Sequence, residues 1–424
     1  MRYAFSKTPI LKNLELIVEN QGEKILFHAS GTGSELFSSM LGSYFDWLNK
    51  AGPIATFNGS NVYSLYLPPI PSPAHARMVE GFIHTFILRH STPQAATIAV
   101  TDACQCACIH CSVSAHSDSR SILSGSEIRK IIQESIALGV NNVTFTGGDP
   151  LLRSDLEDLL SCVSPEEAVT QVFTNGIELS PERARSLKAS GLYGIQISLD
   201  SPFPDEHDRL RRRAGTFQAV NQGAKAALEA GLLAALSTYA SNQSVQDKNL
   251  SRIAELASAW GIHEVSVFDL IPTGRLLHRD DLLLTGESRN ALLEEARDLN
   301  RKYRGKPRII TQSWTNCGKG FAKTFGCLAG NYQFHVTACG DFTPCDFTPL
   351  SFGNIRSESI PRLWEKITRH PAYSKHCDSC RMQSTDFRAN FIQTIPSGSP
   401  LPYLIAEVEN NPFPPHFDPG SPPS

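Results

Sequence analysis

The chain has 424 residues, 41% apolar and 19% charged, which is the composition of a globular protein with a sizeable core and two or three folding units. Its 39 basic and 42 acidic residues nearly cancel, so composition provides no general attraction to nucleic acid or to an anionic membrane. No run of about 18 uncharged apolar residues is present, which argues against a transmembrane segment.

Met1 to Lys7 is followed by no secretory h-region. The 11 cysteines cluster with gaps of two or three residues instead of spreading as a disulfide framework. In a chain of this size that pattern reads as metal ligation in a reducing compartment, so a cytoplasmic location is expected.

Residues 1–92 read as a separate α+β unit. Leu14 to Val18 and Lys24 to Phe27 flank Gln21-Gly22-Glu23 and predict a hairpin. Ser34 to Lys50, with Leu41, Phe45 and Leu48 at helical spacing, predicts a helix, and Ala74 to Arg89 predicts a second. Between them, Pro68-Pro69-Ile70-Pro71-Ser72-Pro73 breaks the chain. Such a unit can be a cap on the main domain, a grip for a peptide leader or an amphipathic face that meets lipid.

Residues 93–310 alternate strand and helix. The predicted strands are Thr97 to Val100, Asn142 to Thr146, Gln171 to Thr174, Gly194 to Leu199, Ala235 to Tyr239 and Glu264 to Leu270, with helices such as Ser124 to Leu138 and Phe217 to Ala230 between them. Six such units predict an α/β fold, a partial (β/α)6 TIM-like barrel whose chemistry lies at the strand C-termini. The polar motifs fall at that end. Cys104, Cys108 and Cys111 form a C-x3-C-x2-C run after the first strand, and three thiolates on a [4Fe–4S] cube leave one iron open to a non-protein ligand. The extra thiol of Cys106 keeps a four-sulfur zinc site open as an alternative. Gly147-Gly148-Asp149-Pro150 follows the second strand, Thr174-Asn175-Gly176 the third, and Ser198-Leu199-Asp200 ends the fourth. Singly, each of these is a turn or a cap.

Together they resemble the radical S-adenosylmethionine (SAM) superfamily over residues 93–280, with Asp149 where that family more often carries glutamate and His110 before the last cysteine. The resemblance implies that Cys104, Cys108 and Cys111 bind a cluster and that SAM chelates its open iron. It also implies that Gly147, Gly148, Asp149 and Pro150 meet the methionyl amine, with Ser198, Asp200 and Asn175 near the ribose or carboxylate. A reductant such as flavodoxin or ferredoxin is implied as partner.

A second cysteine region follows in residues 311–392. Cys327, then Gly340, Cys345 and the pair Cys377 and Cys380 resemble the auxiliary-cluster extension called SPASM, here in the shortened form called twitch, since no further cysteine follows Cys380. The resemblance implies a small C-terminal cysteine-rich domain holding a second [4Fe–4S] cluster, with a structural zinc on the same four thiols as the alternative. Cys162 is expected in the core. Cys317 and Cys339 read as structural thiols, although Cys317 in its glycine-flanked loop can also be read as a hydrogen donor or ligand. Residues 393–424 are Pro-rich and expected to be a largely disordered tail, with Tyr403 to Glu407 able to dock. The functional expectation is an enzyme that cleaves SAM to a 5′-deoxyadenosyl radical, acting on a ribosomally made peptide or on a small molecule, lipid or cofactor precursor. A non-catalytic iron–sulfur or zinc protein accounts for the cysteines but not for the other motifs.

Overall fold

The computed structural model describes residues 1–5, 13–88, 90–113, 121–312 and 326–408. Cys317 lies outside them, as do Arg89 and the end of the chain from residue 409.

Three antiparallel strands open the fold, β1 (Arg2–Ala4), β2 (Glu15–Gln21) and β3 (Lys24–Ser30), in spatial order β1-β2-β3. The expected β2–β3 hairpin turns at Gly22, whose φ of 62° is accessible to glycine at no steric cost. The predicted first helix runs Ser34–Ala51 and buries Leu41, Tyr44, Phe45 and Leu48 against Leu16, Val18 and Ile25. A short hairpin, β4 (Ala55–Phe57) and β5 (Ser60–Val62), was not evident from the residue pattern. The second helix spans Pro73–Phe82 and continues as a π-helical turn over Ile83–Ile87. Ser72 caps it by accepting a hydrogen bond from His75 N, with Pro73 in the first turn.

All six expected parallel strands are present: β6 (Ala95–Thr101), β7 (Asn142–Gly147), β8 (Val169–Thr174), β9 (Gly194–Ser198), β10 (Leu233–Ala240) and β11 (Glu264–Asp269). The sheet extends at both edges, through β12 (Arg308–Thr311) beside β11 and through β13 (Gln333–Val336) and β14 (Phe342–Thr343) beside β6. β13 runs parallel to β6, with Gln333 opposite Ala95 and Val336 opposite Ile98. The cysteine-rich region and the half-barrel therefore share one nine-stranded open sheet.

Strand alternation sends Ile98, Val100, Phe145, Val172, Ile197, Leu236 and Val267 outward into one core with the covering helices, which contribute Ile128, Ile132, Val220, Ala224, Ile253 and Leu292. Burial of each large aliphatic stabilises by roughly 1.5–3 kcal/mol. The opposite strand face is polar and buried. Ser266 Oγ donates to Gln196 Oε1 (3.2 Å), Gln196 Nε2 to Gln171 Oε1 (3.1 Å) and Gln171 Nε2 to Asn142 Oδ1 (3.3 Å).

The N-terminal unit closes the floor of this interior. Ile54, Val62 and Leu65 pack on Val169, Tyr193, Leu233 and Ala235 at the strand beginnings. Leu65 N donates to Glu264 Oε2 (3.1 Å), Asn142 Nδ2 to Tyr66 O (3.1 Å) and Tyr193 Oη to Leu67 O (3.2 Å). Arg308 Nη2 reaches Ala51 O (2.8 Å) and Gly52 O (2.6 Å). Among the described residues, this unit covers the beginnings of the strands and not their C-terminal ends.

Two expectations are corrected. Cys162 is exposed, its thiol donating to Asp158 O (3.2 Å), because the local helix ends at Leu160 and Leu156, Leu159 and Leu160 already fill the core. Residues 393–408, expected to begin a disordered tail, pack onto the protein. Ile395, Leu401, Ile405 and Val408 are buried between the prolines, and β15 (Leu350–Ser351) pairs with β16 (Tyr403–Leu404).

Burial pushes the Glu264 carboxyl up to about 7 from 4.5, against the opposing pull of hydrogen bonds from Ser64, Leu65 N and Ser266 and of the Arg308 charge. The folded chain thus holds a proton that the unfolded chain releases, and stability falls as pH rises through that window, by at most about 1.4 kcal/mol per pH unit. Glu264→Gln is expected to flatten the unfolding free energy measured across it in urea. A slope equal to the parent's would assign the pH dependence elsewhere.

Candidate active site at the strand C-termini

The cysteine loop leaves β6 at Thr101 and lies directly against the glycine turn of β7. Gly148 N donates to Thr101 O and Asp149 N to Ala103 O, both at 2.8 Å. A Cβ on Gly147 would stand 2.0 Å from Thr101 O, and one on Gly148 would stand 2.1 Å from Ala103 O. The glycine pair is therefore required by the loop it supports.

Asp149 is wholly buried. Its carboxylate accepts from Leu151 N (3.0 Å), Thr174 Oγ1 (2.9 Å) and Asn175 N (2.9 Å), tying the end of β7 to the end of β8. Burial raises its pKa, and these hydrogen bonds oppose that rise. Pro150 begins the turn that follows. Asn175 turns back onto the loop, with Nδ2 3.0 Å from Gln105 Oε1 and 3.9 Å from Cys104 Sγ.

Within the loop, Cys106 stands between Cys104 and Cys108 and hydrogen-bonds to both. Those contacts push the Cys106 thiol up. They outweigh burial at its neighbours, lowering Cys104 to about 6 and, with help from the Arg211 charge, Cys108 to about 7. Cys111 N meets Cys108 O (3.4 Å), and Cys111 O accepts from Arg275 N (3.2 Å) in the loop after β11. A Cβ on Gly274 would fall 2.4 Å from that oxygen. Soft thiols on one loop, two of them inclined to ionise near neutrality, with N–H donors reaching two of the sulfurs, fit a thiolate-held iron–sulfur cluster.

Ser198 ends β9 half-buried, level with Ser237 of β10. Asp200, expected near the ribose or carboxylate of SAM, is engaged by Arg211. Nε stands 2.6 Å from Asp200 Oδ2, and Nη2 donates to Oδ1 at 2.9 Å. Burial would raise the Asp200 carboxyl, but the charges of Arg211, His110 and His207 together hold it below the usual range. His110 Nε2 lies 3.4 Å from Asp200 Oδ2, and its ring packs on Tyr239 at 4.3 Å between centroids. Arg211 was missed from sequence. Its only signal was the run Arg209-Leu210-Arg211-Arg212-Arg213, which reads as a solvated helix end.

The second set lies in the interior, although among the described residues no group of three or more His, Cys, Asp or Glu side chains is gathered closely enough to hold a metal ion. Cys327, Cys345, Cys377 and Cys380 are all buried, Cys327 N donates to Cys377 O (2.7 Å), and the Cys327 and Cys380 thiols hydrogen-bond. That bond and the Arg381 charge outweigh burial and hold Cys327 well below the usual thiol range, whereas burial pushes Cys345 up to about 12. Arg381 is buried among them, anchored on Ala372 O and Lys375 O (2.7 Å each). Cys339 is buried in the β13–β14 turn, its carbonyl accepting from Asn354 Nδ2 (3.0 Å).

A family model of the radical SAM superfamily matches residues 98–269. The GTP 3′,8-cyclase of Petrotoga mobilis is 34% identical over 290 residues, covering 63% of this chain and 88% of that enzyme. The chain belongs to the radical SAM superfamily. A model of the SPASM iron–sulfur cluster-binding domain matches residues 327–381, so this radical SAM enzyme carries SAM and two [4Fe–4S] clusters as its cofactors. Other relatives are the AdoMet-dependent heme synthase of Nitratidesulfovibrio vulgaris, 27% identical over 69% of this chain and 86% of that enzyme, and the PqqA peptide cyclase of Granulibacter bethesdensis, 26% identical over 70% and 81%. In fold the chain is similar to Streptococcus suis SuiB bound to precursor peptide SuiA, with a TM-score of 0.57 at 14% identity over 88% of this chain and 90% of that one. Among the described residues no helix is long and apolar enough to cross a membrane.

Gly148→Ala is expected to force the cysteine loop off the β7 turn, costing about 1–3 kcal/mol by overpacking and reducing the iron retained after anaerobic reconstitution. Unchanged melting temperature and iron content would show that the loop is not held there.

Proposed function

We propose that this radical SAM enzyme abstracts a hydrogen atom from a ribosomally made peptide and completes an oxidation or a bond, with Cys104, Cys108 and Cys111 holding the SAM cluster and Cys327, Cys345, Cys377 and Cys380 the auxiliary one. When bound, the first cluster supplies the electron that splits SAM into methionine and a 5′-deoxyadenosyl radical. The chain's own part is positional. Gly147 and Gly148 would bring backbone close to the methionyl end and Ser198 would lie near the ribose or carboxylate, while Asn175 and Arg211 direct N–H groups at cysteine sulfur and the N-terminal unit closes the floor. One-electron carriers of the flavodoxin or ferredoxin type are the expected donors.

The observation that carries the peptide reading is the outer edge of β3. Asn49 occupies both backbone groups of Ile25, with Ile25 N donating to Oδ1 (2.7 Å) and Nδ2 to Ile25 O (2.9 Å), as a neighbouring strand would. Past that point, Phe27 and Ala29 face the same way and, among the described residues, pair with no further strand. An extended peptide can add there through main-chain hydrogen bonds. The likeness to SuiB over most of the chain and the relationship to a peptide cyclase support the same reading. A small-molecule substrate is the second reading, supported by the sequence relationship to the heme synthase and the GTP cyclase.

Two measurements test these assignments. Cys108→Ala is expected to lower iron from about eight to about four per chain and to abolish 5′-deoxyadenosine formation with dithionite; retention of both would refute the ligand assignment. Phe27→Pro, which removes one outward N–H, is expected to weaken binding of a candidate precursor peptide by at least about tenfold, or 1.4 kcal/mol, with peptide-free SAM cleavage intact. Undiminished binding would show that the peptide is not held at the β3 edge, and no binding by the parent would favour the small-molecule reading.

A further inference from the structure

Arg211 is a buried cation placed against a cofactor cysteine. Moving a guanidinium out of water is costly unless its partners are well aligned, so the site must supply them. Two of its nitrogens face Asp200 in a fork, Nη2 donating to Oδ1 at 2.9 Å and Nε lying 2.6 Å from Oδ2 as an ion pair that lacks hydrogen-bond alignment. The third, Nη1, lies 3.7 Å from Cys108 Sγ. The backbone fixes this placement as firmly as the side chains do. Ala107 N donates to Arg211 O (3.2 Å) and Ile109 N to Leu210 O (3.1 Å), so the cysteine loop is laced to the end of the Pro204–Arg211 helix on both sides of Cys108. Arg212 then stops the helix in the left-handed region (φ 53°), which leaves Arg211 at the terminus beside the loop. Asp200 is itself located by the hydrogen bond from its own N–H to His207 Nδ1 (3.1 Å) and by His110.

We propose that Arg211 and Asp200 are opposed positioning residues that set the reduction potential of the SAM cluster through the Cys108 sulfur. This rests on the assignment of Cys104, Cys108 and Cys111 as ligands. A hydrogen bond and a positive charge at a ligating sulfur favour the reduced, more negative state of a cluster, so Arg211 raises the potential toward the range of a protein electron donor. Asp200 orients the fork and neutralises part of its charge, keeping the potential low enough for the electron to pass on to SAM. The two residues therefore act with opposite sign.

The test is an EPR-monitored redox titration of the anaerobically reconstituted full chain, following the reduced-cluster signal that changes when SAM is added. Arg211→Gln is expected to shift that midpoint to lower potential, Asp200→Asn to shift it higher, and Arg211→Lys to restore most of the parent value. Shifts in the same direction, or none, in variants that retain the parent's iron content would overturn the proposal, because a purely structural pair has no reason to give opposite signs. Should Arg211→Gln fail to hold iron, Asp200→Asn decides, and an unmoved or lowered midpoint refutes the idea. A parent protein without a SAM-sensitive signal would instead refute the ligand assignment.

Discussion

Two main-chain hydrogen bonds, from Gly148 N to Thr101 O and from Asp149 N to Ala103 O, hold the cysteine loop against the end of β7. Every other element of the site is arranged around that contact. It is short enough to admit no Cβ on either glycine, which explains the residue pair in steric terms before any ligand is considered. The buried carboxylate of Asp149 passes the constraint to β8 through Thr174 and Asn175, and Asn175 returns it to the loop through Gln105. The cysteines proposed to share one cofactor are thereby carried on a loop pinned from behind at several points. Precision of this kind is what a rigid strand-end scaffold supplies and a free loop does not.

Much of this arrangement was legible in the residue order. The six strands of the half-barrel announced themselves as short β-branched runs followed by loops, because each strand buries one face against a helix and has to be apolar there. The family and its cofactors were legible because the spacing of cysteines within a loop is a local property. What escaped was non-local. Arg211 meets Cys108 across more than a hundred residues of chain, and its sequence neighbours Arg209, Arg212 and Arg213 disguise it as part of a solvated face. Cys162 was misjudged because the helix ahead of it stops one turn sooner than its apolar neighbours suggest. The docking of residues 393–408 was hidden by the prolines, which forbid regular structure but not burial.

The interior of the half-barrel combines two demands. Its polar strand face must stay satisfied without bulk water, and the chain of Ser266, Gln196, Gln171 and Asn142 does this by passing hydrogen bonds from strand to strand. The N-terminal unit completes the pattern from below, supplying Leu65 N to Glu264 and Tyr66 O to Asn142. The unit that offers the β3 edge outward is thus also the floor of the reaction chamber. That edge and the half-barrel interior are joined by covalent chain and by the Arg308 contacts to Ala51 and Gly52.

The pairing of β13 with β6 has a consequence for how the protein is made. The strand that carries the cysteine loop is flanked on one side by β7, synthesised soon after it, and on the other by a strand from the far end of the chain. Until that late segment leaves the ribosome, β6 presents a bare, apolar sheet edge of the kind that pairs promiscuously with other chains. The auxiliary domain therefore doubles as the edge guard of the nascent barrel. A chain cut short before Gln333 loses more than four thiols: it leaves the newborn sheet open to self-association.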